Sequence, residues 1–174
     1  MRRARQFLSA LLGAAVGLAG CGRESGIPLE PSAPSFLLGV NLGGLNALLL
    51  SCSPLPYAKS TVTLGTAGGS VSIGPHTLVV PAGALSGPVT ITAENISDNV
   101  NSVRFSPEGL QFQKAAALTM SYSNCSGLGM LLPKKVAYTN ELLTILELLQ
   151  SVDLAGQKKV TGQLNHFSRY AVAY

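Results

Sequence analysis

Cys21 has the most specific chemical setting in this chain, because it follows Leu18, Ala19 and Gly20 at the end of the apolar run of residues 7–20. Small residues let a backbone lie in a peptidase cleft, and a thiolate is the soft nucleophile suited to take up a diacylglyceryl group. Other reactive patterns are lacking. His76 and His166 lie far apart, and no Cys or carboxylate stands at ligand spacing from either, so no metal site is read. The chain has no Gly-x-Ser-x-Gly elbow, phosphate loop or dinucleotide fingerprint. Glu94, Asp98 and Glu108 supply carboxylates, but nothing in their spacing selects a glycosidase pair. Asn95-Ile96-Ser97 and Asn124-Cys125-Ser126 match the glycosylation pattern.

Arg2, Arg3 and Arg5 precede the apolar run, which is too short to span a bilayer as a mature helix. Residues 1–20 are read as an export signal, and Leu18-Ala19-Gly20-Cys21 resembles the signal of bacterial lipoproteins. That resemblance implies cleavage before Cys21, lipidation of its sulfur and acylation of its new amine, with two or more acyl chains giving stable anchoring. Arg2-Arg3 is a poor twin-arginine match, which favours export of an unfolded chain. Gly22 is not the acidic residue that retains some lipoproteins at the inner membrane, so an outer-membrane location is expected in a Gram-negative cell. With Cys21 lipidated, Cys52 and Cys125 remain as an even pair in an oxidising compartment and are expected to form a disulfide. Two separate buried thiols are the alternative.

Composition narrows the function further. A chain that is 47% apolar and 11% charged is not of the disordered class. The net charge of +4 comes mostly from the three N-terminal arginines, and without them the chain is nearly neutral. No Lys/Arg stripe with interleaved aromatics remains to drive counterion release, so no nucleic-acid partner is expected. No cofactor is expected either.

Residues 22–35 are rich in Pro, Gly and Ser and read as a tether within an N-terminal segment spanning residues 21–59. Residues 36–50 are apolar but short for a span and broken by Asn41, Asn46 and glycines. Periodicity leaves them open as an interfacial stretch, a first strand or a linker. From Ser60 to Tyr174 the pattern changes to apolar alternation of period two: Val62 and Leu64, Val71 and Ile73, Val89, Ile91 and Ala93. It continues through Val103 and Phe105, Leu118, Met120 and Tyr122, then Val160, Gly162 and Leu164. Thr and Ser fill many of the alternate positions, which predicts an all-β antiparallel sandwich. Residues 142–149 are read as a strand, with a short edge helix as the alternative. Asp153-Leu154-Ala155-Gly156 is read as the turn leading into the strand that follows.

Three local patterns in residues 60–174 together resemble the ZU-five domain, the β-sandwich module named for a tight-junction protein, a netrin receptor and the ankyrins. The first is Gly68-Gly69-Ser70-Val71 running into Leu78-Val79-Val80-Pro81-Ala82-Gly83-Ala84-Leu85. The second is Phe105-Ser106-Pro107-Glu108-Gly109-Leu110-Gln111-Phe112, and the third is His166-Phe167-Ser168-Arg169-Tyr170-Ala171-Val172. The resemblance implies corners of a sandwich with no reactive group. Some animal relatives joined to a second domain cut themselves within a His-Phe-Ser motif. In this chain that would mean attack of the Ser168 hydroxyl on the Phe167 carbonyl, proton transfer by His166 or another histidine, and hydrolysis of the ester. The structural alternative places His166, Ser168, Tyr170, Val172 and Tyr174 on one face of a last strand and Phe167 on the other. The expected function is a non-enzymatic interaction or structural module of the bacterial envelope, extracytoplasmic and held to the lipid bilayer through Cys21, with an envelope protein or the cell wall as partner. Autoproteolysis and carbohydrate binding are the alternatives, the second disfavoured because Trp is absent and most Tyr and Phe fall on inward positions.

Overall fold

The computed structural model describes residues 48–174, which form an all-β antiparallel sandwich. Its strands are β1 (Ala58–Leu64), β2 (Gly69–Ile73), β3 (His76–Val80), β4 (Val89–Ile96), β5 (Ser102–Ser106) and β6 (Gln111–Ser121). They continue with β7 (Lys135–Thr139), β8 (Ile145–Leu148), β9 (Ser151–Leu154), β10 (Lys159–His166) and β11 (Arg169–Ala173). One sheet has the order β1-β4-β5-β11-β7-β8 and the other β2-β3-β6-β10-β9. The chain changes sheet repeatedly, so neither sheet is a simple meander.

Period-two alternation explains the core. Val71, Ile73, Leu78, Leu118, Met120, Val160 and Leu164 from one sheet bury against Ile91, Ala93, Val103, Phe105, Tyr170 and Val172 from the other. The facing Thr pairs stay outside: Thr61 with Thr92, Thr63 with Thr90, and Thr119 with Thr161 share hydroxyl hydrogen bonds across neighbouring strands. Gly162 on β10 lets the sheets approach, since a Cβ there would lie 2.6 Å from Cβ of Val136 on β7.

Turn chemistry follows the glycines. Gly68 (φ 72°) closes a tight bridge with Gly65, and a Cβ would fall 2.2 Å from the Val80 carbonyl oxygen. That bridge joins β1 to β2, which lie in different sheets, so it is a sheet-changing corner. The β2–β3 hairpin turns instead at Gly74-Pro75.

Three expectations need correction. The β body begins before residue 60: Leu50 is fully buried, its N–H donates to Val172 O (2.9 Å), and Leu49 bridges Ala173 where β5 no longer flanks β11. The end of the apolar segment thus finds a free stretch of strand edge, while its residues 36–47, like the signal and the tether through residue 35, lie outside the described residues. The strand read over residues 142–149 is present but shorter, β8 at Ile145–Leu148, with a turn before it in place of its first residues. Leu143 takes φ 60°, β8 pairs β7, and the chain crosses at Leu149-Gln150 to β9 in the other sheet. Asp153 and Leu154 therefore belong to β9, and the turn into β10 is Ala155–Gln157 with Lys158 left-handed. The last segment is not one strand, because His166 ends β10 in one sheet and Arg169 starts β11 in the other.

Cys52 and Cys125 form the expected disulfide, with S–S 2.07 Å. It ties the incoming strap to the loop after β6, helped by Cys52 N–H to Asn99 O, Ser53 N–H to Asn124 O and Ser126 N–H to Ser51 O. Asn101 and Asn124 exchange amide hydrogen bonds beside it, and Asn124 Nδ2 also donates to Ser53 O.

Closing a sequence separation of 73 restricts the unfolded chain, so reduction is expected to lower stability by about 4 kcal/mol. Urea unfolding with and without reductant measures it, and an unchanged midpoint would overturn the assignment. Gly162→Ala is expected to cost about 1–3 kcal/mol through overpacking against Val136, read from the same denaturation curves.

Candidate functional site

The Phe167-Ser168 peptide sits where the chain leaves one sheet for the other, packed against the β5–β6 corner. Gly109 N–H donates to Phe167 O (2.9 Å), Phe167 N–H to Leu110 O (2.8 Å) and Phe105 N–H to Ser168 O (3.0 Å). Phe105 stacks on Phe167 at 5.1 Å, and Phe112 meets the same ring edge-on at 5.0 Å. The second and third sequence motifs are thus two halves of one laced corner.

His166 lies beside it with Nδ1 3.4 Å from Phe167 O and 3.4 Å from the Tyr170 hydroxyl, which donates to His166 O at 2.6 Å. Burial, chiefly, pushes the Tyr170 phenol up, so it stays a neutral donor. Ser168 is buried, and no hydrogen bond among the described residues joins its Oγ to His166. The imidazole is placed to polarise a carbonyl. Activating Ser168 requires a base on its Oγ, an arrangement this geometry does not supply. The purified chain is expected as one species ending at Tyr174; loss of residues 168–174 that Ser168→Ala prevents would overturn that expectation in an intact-mass spectrum.

The remaining charges form a row that no motif announced. On the outer face of the six-stranded sheet, Lys59, Glu94, Arg104 and Arg169 are successive cross-strand partners on β1, β4, β5 and β11. Glu94 pairs with Lys59 (3.2 Å), lies near Arg104 (3.9 Å) and accepts the Tyr57 hydroxyl (2.9 Å). The Tyr57 bond, then the Lys59 bond, hold its carboxyl below the usual range. Arg104 and Arg169 would repel each other as neighbours, and Glu141 lies against both. Arg169 is buried, with its guanidinium bonded to Ser102 Oγ and to Glu141 O (2.7 Å) and near Asp98 (3.8 Å). Glu94 and Asp98 are therefore engaged by cations. Only the strand register reveals this row.

His76, read at first as a histidine without ligand spacing, is fully buried on β3. Its Nδ1 accepts Ser121 N–H (3.1 Å), which puts its proton on Nε2. Neither that atom nor Asn95 Oδ1, from the opposite sheet and interacting with the ring, has a partner at hydrogen-bond distance. Burial lowers the ring's pKa to about 4. Asn95 itself is buried and donates to Pro56 O, and Asn124 is bonded as above, so neither amide is open to a glycan.

An open cavity of 390 Å³ lies at another corner, lined in part by Tyr122, Met130, Leu132, Lys134 and Asp153. Asp153 accepts the Tyr122 hydroxyl (2.6 Å), and burial followed by that carboxylate pushes the phenol up to about 12. Among the described residues no group of three His, Cys, Asp or Glu could hold a metal, and no helix is long and apolar enough to cross a membrane. Tyr122, Tyr170, Phe105 and Phe167 are buried, leaving Tyr57 as an exposed ring bonded to Glu94. Cys21 lies outside the described residues.

Because the His76 pKa falls from 6.5 unfolded to about 4 folded, the unfolded chain binds the proton first as pH drops. Stability from this group is whole above about pH 6.5 and declines by about 3 kcal/mol down to pH 4. His76→Gln, which keeps an acceptor for Ser121 N–H, is expected to flatten that slope in denaturant titrations at stepped pH. An unaltered slope would show that another group titrates.

No protein-family model matches this chain, and the search of curated proteins returns no match.

Proposed function

We propose that this chain is a lipoprotein of the bacterial cell envelope whose β-sandwich, of the ZU-five type, works by contact rather than catalysis. The Cys52–Cys125 disulfide carries the reading. A bonded pair suits an oxidising compartment and leaves Cys21 as the remaining thiol, at the end of an export-type apolar run. Cys21 receives the lipid, residues 1–20 are removed, and the chain up to residue 47 leashes the body to the bilayer. The partner is an envelope protein or the cell wall. Support for a contact role comes from the corner at Phe167-Ser168, where backbone and rings are committed to packing.

Mass spectrometry of protein extracted from membranes tests this. The expected N-terminal peptide begins at Cys21 and carries acyl mass, while Cys21→Ser keeps residues 1–20 and lacks the added mass. A wild-type chain retaining residues 1–20, or with an unmodified Cys21, would overturn the proposal.

A further inference from the structure

Leu128, Leu131 and Leu132 are 87%, 84% and 51% exposed, yet they belong to a firmly seated turn. Within the 3-10 turn Leu128–Leu131 the buried residue is Gly129, where a Cβ would lie 2.5 Å from the Tyr174 ring and 3.1 Å from Leu50. That close approach fixes the inner side of the turn. Its leucines are left in water. Leu131 and Leu132 also line the 390 Å³ cavity, whereas Val152 and Leu154, exposed on the edge strand β9, alternate with the cavity residue Asp153 and face outward from the five-stranded sheet.

Charge surrounds this surface unevenly. Lys158 lines the cavity with Leu131 and Leu132, and Lys159 follows it; both are exposed. Lys134 is buried, with its ammonium donating to Leu132 O and lying 5.5 Å above the Tyr122 ring. The carboxylate of the lining, Asp153, is already engaged by the Tyr122 hydroxyl and by Lys134 N–H (2.9 Å). Exposed leucines rimmed by free ammoniums match an acyl boundary beneath anionic headgroups, where apolar burial and attraction to phosphate act together.

Position supplies the second argument. The chain joins the body at Leu48 and Leu50, which bond β11 and the C-terminal residue, and Leu50 touches the turn at Gly129. The residues before Leu48 lead back toward Cys21. We propose that the Leu128–Leu131 turn, with Leu132 and the Lys158 and Lys159 ammoniums, is a face that docks on an anionic lipid bilayer. Delivery to that surface rests on the lipid-anchor reading; the face's own affinity does not.

The chain contains no Trp, so Leu131→Trp in the full-length chain gives a single fluorescent reporter. Its emission is expected to shift to the blue with phosphatidylglycerol vesicles and to stay unshifted with phosphatidylcholine. Adding Lys158→Glu and Lys159→Glu is expected to weaken that response at least about tenfold, as would strong salt. A control, Thr61→Trp, exposed on β1 at the far edge of the six-stranded sheet, is expected to remain unshifted. All are repeated with Cys21→Ser, which alters whether the chain pellets through its lipid but not whether residue 131 meets acyl chains. A reporter that stays in water while the chain pellets with vesicles would overturn docking by this face. So would a shift that appears without vesicles and grows with protein concentration, because that would make the face a contact between copies.

Discussion

The two sheets are held in register at one end by the mutual lacing of two crossovers. β5 and β11 are neighbours in one sheet, β6 and β10 in the other, and the chain passes between them at residues 106–111 and 166–169. Each crossover would expose unpaired backbone groups inside a protein if it stood alone. Together they satisfy one another, through Gly109 N–H, Phe167 N–H and Phe105 N–H, beneath a cluster of three phenylalanine rings. Shifting either corner by one residue would turn the inward faces of the following strands outward.

That constraint explains why the His-Phe-Ser segment is better placed for packing than for reaction. The Phe167 carbonyl accepts a backbone N–H, its ring fills the corner, and the Ser168 carbonyl holds β5. A bond break here would release β11, whose five residues are all buried and which joins β5 to β7. The opposite requirement governs the docking face. Its leucines project from a turn pinned by Gly129, where outward apolar groups cost the core nothing and remain available to another apolar phase.

Charge is distributed with the same division. The acidic residues Glu94, Asp98 and Glu141 lie near Lys59, Arg104 and Arg169 on one sheet face, where opposite charges balance a buried guanidinium. Beside the leucine turn the ammoniums of Lys158 and Lys159 adjoin a surface whose lining carboxylate is already bonded. Net charge alone conceals this asymmetry, because the first three arginines account for most of it.

Local pattern determined much of the sandwich. Pleating alone sends Val71 and Ile73, or Leu118 and Met120, to one face, so alternation named the core residues of most strands before any pairing was known. Counting thiols likewise named Cys52 and Cys125 as a pair. The tertiary structure decided what depends on residues distant along the chain. Alternation does not say which sheet a strand joins, so residues 142–149 read as one strand although a turn precedes β8 and the chain leaves it at Leu149 for the other sheet, and residues 166–170 read as continuous although β10 ends and β11 begins among them. The Lys59–Glu94–Arg104–Arg169 row, the His76 and Asn95 encounter across the core and the seating of Leu50 against β11 arise from register between distant segments. Loop-closure entropy varies only slowly with separation, so spacing in the sequence scarcely distinguishes one remote partner from another; packing of the two sheets makes that choice.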